Sequence, residues 1–328
     1  MSAPTGMRWR VESWDPGYGA SSEDPAELSR STAQVDLDVE IAASNWRPIG
    51  PRPAGTDSWP AVLFVDGVRR IDAMAWISDE DQGQDGGTAS MALCASYAAG
   101  VVRCQPGAAQ LVAAEVRRGL FSTASHATDV VTSAGSYQRV QLTGRGEPAA
   151  DLSLAVQRAL GDVEAEVAAA ARSGEETDRD LLVVDGPLRG RQHLPRVLGF
   201  IKTHRSEYLP PALHRMVGGL TAGQRTPVFG LGTSWQRYSW YLKLPGGEGA
   251  PWAGVARVEC PADLPVAQAV ELAERSAPEL CRYASTEYKD ARAPQNLYPI
   301  AGLERQLRRR LGDQALLYRA IRRASDKS

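Results

Sequence analysis

The chain has 328 residues, 43% of them apolar and 23% charged. That is room for about two domains, or one large domain with insertions, and for a core that needs no disulfides to hold it. A formal net charge of -2 excludes a strongly basic protein, so any hold on nucleic acid must come from a local patch. Mean hydropathy is -0.31, and no apolar run approaches the roughly 18 residues of a spanning helix, so a membrane is not an expected partner. The opening stretch MSAPTGMRWRVESWDPGYG lacks the apolar centre of a secretory signal. Cys94, Cys104, Cys260 and Cys281 fit no zinc spacing, and His126, His193, His204 and His214 are scattered. Reduced thiols in a cytoplasmic protein are the expectation.

Residues 1–58 are rich in Pro, Gly, Ser, Asp and Trp and read as an extended N-terminal arm. Trp9, Trp14 and Trp46 give it the means to dock, for instance by clasping a second subunit. Within it, Val35–Ile41 alternates weakly and reads as a short strand or helical turn. The body is expected over 59–328. Ala61–Val65 is an apolar run ending in Asp66-Gly67, a turn pair, and Val68–Ser78 resumes as a second strand, so the two read as a hairpin. The acidic, Gly-rich Asp79–Gly87 reads as a loop. Met91–Cys104, Leu111–Phe121 and Tyr137–Thr143 read as further strands. Over Asp151–Arg172 the period changes: Leu152, Val156, Leu160, Val163 and Val167 recur at helical spacing. Asp180–Val184 is a short, very apolar strand running into Asp185-Gly186-Pro187, and Val197–Lys202 is another. Ser206–Gly219 reads as a helix with a Pro-Pro start. Pro227–Thr233, Gln236–Leu244 and Gly254–Glu259 read as strands, the last two a hairpin around PGGEGAPW. Pro265–Cys281 and Leu303–Ala324 read as helices. The order predicts an α/β mixed sheet flanked by helices, without the regular alternation of a Rossmann fold or a TIM barrel.

Several chemistries are excluded by missing motifs. There is no G-x-x-x-x-G-K-[ST], no G-x-G-x-x-G after a strand, no G-x-S-x-G and no H-E-x-x-H. What stands out is a repeated arrangement: LFVDG at Asp66 and LVVDG at Asp185 each end an apolar run in Asp-Gly. A carboxylate at the end of a buried strand projects at the sheet rim, and the glycine after it leaves room for a ligand. Converging carboxylates are the oxygen donors that Mg²⁺ and Mn²⁺ prefer. Glu164 and Glu166, on the helix before the second of these strands, can each lean toward the same point. A strand hairpin, a third strand, a helix and a fourth strand is the order of the metal-binding half of an RNase H-like fold.

At this point the chain resembles the NurA nuclease family. The segments that carry the resemblance are FVDGVRRID (Phe64–Asp72), LLVVDGPL (Leu181–Leu188), VLGFIKTHR (Val197–Arg205), RYSWYLKL (Arg237–Leu244), GVARVECP (Gly254–Pro261) and NLYPIAGLERQ (Asn296–Gln306). It runs from about Trp59 to about Arg323. The resemblance implies an RNase H-like, Piwi-related core and a Mn²⁺-dependent (or Mg²⁺-dependent) DNA nuclease acting on single strands and duplex ends. It also implies a homodimer working in end processing with a HerA-like hexameric ATPase. By motif, Asp66 and Asp185 are the metal ligands, and Glu164 or Glu166 completes the set. Lys202 faces the scissile phosphate or the attacking water, and Tyr298 stands at the family's Tyr-Pro segment. Two ions held there activate the water and stabilise the leaving 3′ oxygen. The family's Ala-His pair beyond that tyrosine is replaced here by Arg305-Gln306. That loss shifts the role to a residue such as Glu304 or His204, or weakens catalysis.

Two further surfaces are candidates for nucleic acid. The last helical stretch carries arginines at 305, 308, 309, 310, 319, 322 and 323, of which Arg308 and Arg309 are the expected phosphate contacts. Strand alternation places Trp235, Arg237, Ser239 and Tyr241 on one face, where Arg237 and Tyr241 can grip a single strand. The competing expectations are a catalytically weakened RNase H-like subunit that binds DNA or an ATPase ring without cutting, and a phosphoesterase acting on RNA or nucleotides.

Overall fold

The computed structural model describes residues 7–11, 29–30, 33–51, 58–78, 89–143, 147–174, 179–204, 206–233, 235–246, 252–290 and 292–327. Trp14 and the Asp79–Gly87 stretch lie outside these residues, as does much of the PGGEGAPW segment. In chain order the elements begin with three short strands, β1 (Arg8–Val11), β2 (Ser29–Arg30) and β3 (Gln34–Asp36). A long meander follows: β4 (Val62–Ser78), β5 (Ala89–Gln105) and β6 (Ala108–Ser122), then the small β7 (Val130–Thr132) and β8 (Gly135–Gln141). Next come α1 (Pro148–Ala170), β9 (Leu181–Asp185), β10 (Val197–Ile201), β11 (Ser206–Glu207) and α2 (Pro211–Gly218). The chain ends with β12 (Phe229–Gly232), β13 (Gln236–Lys243), β14 (Val255–Pro261), α3 (Val266–Arg282), α4 (Tyr298–Arg310) and α5 (Gln314–Ser325).

One mixed sheet runs β3-β12-β13-β14-β10-β9-β4-β5-β6-β8-β7. Its centre is β6-β5-β4-β9-β10: an antiparallel three-strand meander, then β9 parallel to β4 and β10 parallel to β9. The crossover from the meander to β9 carries α1. This is the RNase H-like core that the element order predicts. Pieces of the arm belong to the sheet: β1 pairs with the far end of β4, and β3 extends the opposite edge beside β12. Trp9 is buried in the core.

Strand alternation decides which side chains meet which helix. Leu63 and Val65 of β4, with Leu182 and Val184 of β9, face the apolar stripe of α1, where Leu152, Val156, Leu160, Val163 and Val167 are buried. Val62, Phe64 and Val68, with Leu181 and Val183, face the other way and pack against α3 and α4 through Leu272, Leu280, Ile300, Leu303 and Leu307. Asp66 and Asp185 follow the second parity, so both point to the α4 side of the sheet. Gly100, paired with Asp66 in the ladder, lets α4 come close: a methyl there would sit 3.2 Å from Leu303 Cδ1 and Leu307 Cδ2.

The structure corrects three local readings. Asp66-Gly67 is not a turn: β4 runs without a break for 17 residues, with every residue from Val62 to Ile71 paired to β5. The expected helix over Ser206–Gly219 starts only at Pro211, because Ser206–Glu207 pairs with β2. The C-terminal stretch is two helices. Gly312, at φ +85°, takes a conformation other residues adopt only with strain, and Asp313 caps α5 by accepting from the Leu316 N–H at 2.7 Å.

Behind the centre, Asp72 is fully buried and sits at a bulge in β4. It accepts from Ser96 Oγ, from Tyr137 Oη at 2.9 Å and from Arg70 Nε at 2.7 Å. Arg70 also donates to Gly312 O at 2.8 Å, and Arg118 to Leu311 O at 3.2 Å. The link that follows α4, at Leu311 and Gly312, is therefore held by guanidinium groups from the meander.

Candidate metal centre

Asp66 of β4, Asp185 at the end of β9 and Glu304 of α4 bring one carboxylate oxygen each within 4.8 Å of the others. Three elements far apart in sequence supply them. The two aspartates come from adjacent parallel strands at the same level of the sheet, and Glu304 comes from the helix that Gly100 admits over Asp66. Asp66 is buried, and its Oδ2 has no hydrogen-bond partner. Lys202, just past β10, donates to Asp185 Oδ2 at 2.6 Å and to Asn296 Oδ1 at 2.7 Å. Asn296 in turn donates to Asp290 Oδ2 at 2.5 Å. Arg292 grips Glu304 with both arms of its guanidinium, at 3.0 and 2.8 Å.

The electrostatics follow from this geometry. Burial, reinforced by the Asp185 charge, pushes the Asp66 carboxyl well above the ordinary carboxylate range, and Lys202 opposes it only in part. Burial raises Asp185 too, again against Lys202. Burial also acts to raise Glu304, but the hydrogen bonds and charge of Arg292 outweigh it and leave Glu304 below its usual value. A buried carboxylate cluster with an unpartnered oxygen is an unfavourable arrangement by itself. An all-oxygen donor set suits a hard divalent ion such as Mg²⁺ or Mn²⁺, and the orphaned Asp66 Oδ2 is the feature such an ion would satisfy.

The other expected site residues distribute unevenly. Glu164 lies on α1, across the sheet from Glu304. It is half-buried, bonded to Arg191, and raised by burial against the Arg191 charge, with a smaller push from Asp185. It stays close to the strand: a methyl at Gly67 would fall 2.6 Å from Glu164 Oε1. Glu166 points to solvent, 54% exposed, and pairs with Arg117 at 2.5 Å; α1 turns it away from the aspartates. Tyr298 opens α4, 37% exposed, its hydroxyl 2.7 Å from Thr286 Oγ1. Arg308 and Arg309 are exposed on the last turn of α4. His204 bonds the Val255 carbonyl at 2.9 Å and packs on Trp252.

Arg237 and Tyr241 are corrected outright as surface contacts: they are 5% and 2% exposed. Arg237 pairs with the buried Glu259 at 3.0 Å, and Tyr241 stacks on Phe229 in an inner cluster. Both faces of β13 are covered, so alternation there does not mark a surface. Sequence reasoning missed Asn296 and Arg292, whose signal was only their position beside the Tyr-Pro segment. Cys94, Cys104 and Cys260 are buried free thiols and Cys281 is half-buried.

On this RNase H-like sheet the acidic side chains gather where β9 ends beside the unbroken middle of β4. The NurA domain profile matches residues 107–308, which hold Glu164, Asp185, Lys202, Tyr298 and Glu304. The chain belongs to the NurA family of nucleases. Among solved structures, the NurA nuclease from Sulfolobus solfataricus is similar, at 9% identity over 86% of each chain with a TM-score of 0.47. No curated protein matches the chain. No helix among the described residues is long and apolar enough to cross a membrane.

Proposed function

We propose that this chain is a divalent-metal-dependent DNA nuclease, with Asp66, Asp185 and Glu304 holding Mn²⁺ or Mg²⁺. The observation that carries the proposal is the convergence of three carboxylates from separate elements around one unpartnered, buried oxygen. A divalent ion held there supplies Lewis-acid polarisation of the phosphodiester and a water of lowered pKa. Lys202 spends two of its three N–H donors on Asp185 and Asn296, leaving one to meet a phosphate oxygen as charge builds on it. Glu164, held by Arg191 on the opposite face, packs beneath Gly67 and fixes the strand level of Asp66. Arg308 and Arg309 stand ready for backbone phosphates. The family adds the remaining reading: single strands and duplex ends as substrate, end processing with a HerA-like hexameric ATPase, and homodimerisation.

Incubation of purified protein with 5′-labelled single-stranded and duplex DNA in Mn²⁺ tests this. Cleavage lost in Asp66→Asn and Asp185→Asn supports it, and equal cleavage by either variant rejects it. A second reading, a subunit that binds without cutting, draws on Gln306 in place of the family histidine and on the Arg292 grip on Glu304. Calorimetric titration with Mn²⁺ separates the two: micromolar binding that vanishes in Asp185→Asn argues against a dead centre.

A further inference from the structure

The segment between α3 and α4 carries a feature that the carboxylate chemistry does not use. Tyr288 is 81% exposed, the most exposed of the large hydrophobic side chains among the described residues. A ring in water gains nothing by itself; an exposed, oriented one is a surface looking for a flat partner. Lys289 orients it. The Lys289 ammonium lies 5.2 Å from the Tyr288 ring centre and 5.4 Å from that of Tyr298. The Tyr298 hydroxyl is in turn fixed by Thr286. Lys289 and Thr286 also hold the Tyr288 phenol below its usual pKa. Beside Tyr288 is a cleft of about 540 Å³ walled by Pro245, Gly246, Ala284, Thr286, Glu287 and Pro294. A volume in this range can take a small ligand group.

The same segment is wired to the carboxylate centre. Asp290, one residue past Lys289, binds Asn296, which binds Lys202, which binds Asp185. Arg292 binds Glu304. The segment that carries Tyr288 is thus joined to the carboxylate centre by hydrogen bonds, and Lys289 adds a cation beside the ring. An apolar ring face, a cleft and an adjacent cation suit a nucleotide: base on the ring, phosphate near the charge.

We propose that Tyr288, steadied by Lys289 and Tyr298, is a stacking platform for an unpaired nucleobase of a single-stranded substrate next to the scissile phosphate. This rests on the DNA-nuclease reading above and gives it a base-contacting residue, one that engages bases free to stack and not those inside a closed duplex.

The test uses the full chain in EDTA, so that cutting plays no part, with a single-stranded oligonucleotide carrying 2-aminopurine near one end and fluorescein at the other. Wild type binds and quenches the 2-aminopurine. Tyr288→Ala loses the quench and binds about 5- to 150-fold more weakly, the equivalent of roughly 1–3 kcal/mol for one stacked base. Tyr288→Phe keeps both, and a blunt duplex binds wild type and Tyr288→Ala alike. Wild-type affinity and quench in Tyr288→Ala overturn the platform while leaving the nuclease reading intact. Failure of wild type to bind either DNA overturns both.

Discussion

Replacing Asp66 by Asn should stabilise the protein without metal and remove its response to metal. Asp66 lies within 4.8 Å of two other carboxylates. At an effective dielectric of about 20, unit charges at that distance repel by about 3.5 kcal/mol per pair. Lys202 and Arg292 offset part of this, so a net gain of about 1–3 kcal/mol is expected for the neutral side chain, or a Tm rise of about 2–6 °C for a chain of this size. The sign with pH follows from the same charge. The folded state holds the Asp66 proton above its ordinary value of 3.8, so between that pH and its folded pKa the native state binds more protons than the unfolded one. Metal-free wild type therefore loses stability as pH rises through that window, and Asp66→Asn loses less. Mn²⁺ at about a hundred times its Kd should add roughly 2.7 kcal/mol to wild type and much less to the variant. Differential scanning calorimetry in EDTA and in Mn²⁺, at pH 5 and pH 8, reads all four quantities. Equal metal-induced shifts in the two proteins would refute the reasoning.

Glu304→Gln should abolish the Mn²⁺-induced rise in Tm, whereas Glu166→Gln, which breaks only an exposed pair with Arg117, should change Tm by less than about 0.5 kcal/mol equivalent in either buffer; the reverse pattern returns the third carboxylate to α1. Arg292→Met frees Glu304 from a competing guanidinium and should tighten Mn²⁺ binding by up to about fivefold in calorimetric titration. Weaker binding would mean that Arg292 presents Glu304 to the ion instead of competing for it. Gly67→Ala places a methyl 2.6 Å from both Glu164 Oε1 and Leu160 Cδ1, so the Glu164 and Leu160 side chains must repack against β4 at a cost of about 1–3 kcal/mol. An unchanged urea midpoint would show that the contact is slack.

Two of the three clustered carboxylates, and the helix α1, were legible because each sits in a strong pattern: apolar runs ending in acid, and five apolar residues at helical spacing. Asp66 does meet Asp185, but from the middle of a continuous strand and not from the strand end that the Asp-Gly pair suggests. Asp-Gly is a good two-residue turn, but here pairing with Gly100 and Ala99 of β5 holds the pair extended. Glu304 was legible only in part. Counting from Tyr298 leads to Gln306, which faces solvent. Yet Ile300, Leu303 and Leu307 define the buried stripe of α4, and a carboxylate at 304 lies on that stripe's border, a signal that composition alone hides. The readings of Arg237 and Tyr241 failed because no local pattern tells that a second layer, from Leu209, Val217 and Leu220, closes over β13.

The clasp on the link just past α4 has a consequence for how this centre can change over time. Arg70, anchored through the Asp72 knot in the meander, and Arg118 beside it hold Gly312 and Leu311 and so help set where α4 ends and where Glu304 stands. The two aspartates ride on the sheet itself, but the third acid arrives on a separately moored spar. Loosening the mooring would leave the sheet whole and the aspartates in place while the spar drifts. A descendant could thus keep its shape and its partners yet fall silent as a cutter, through a change at the rear of the molecule with no altered acid at the front.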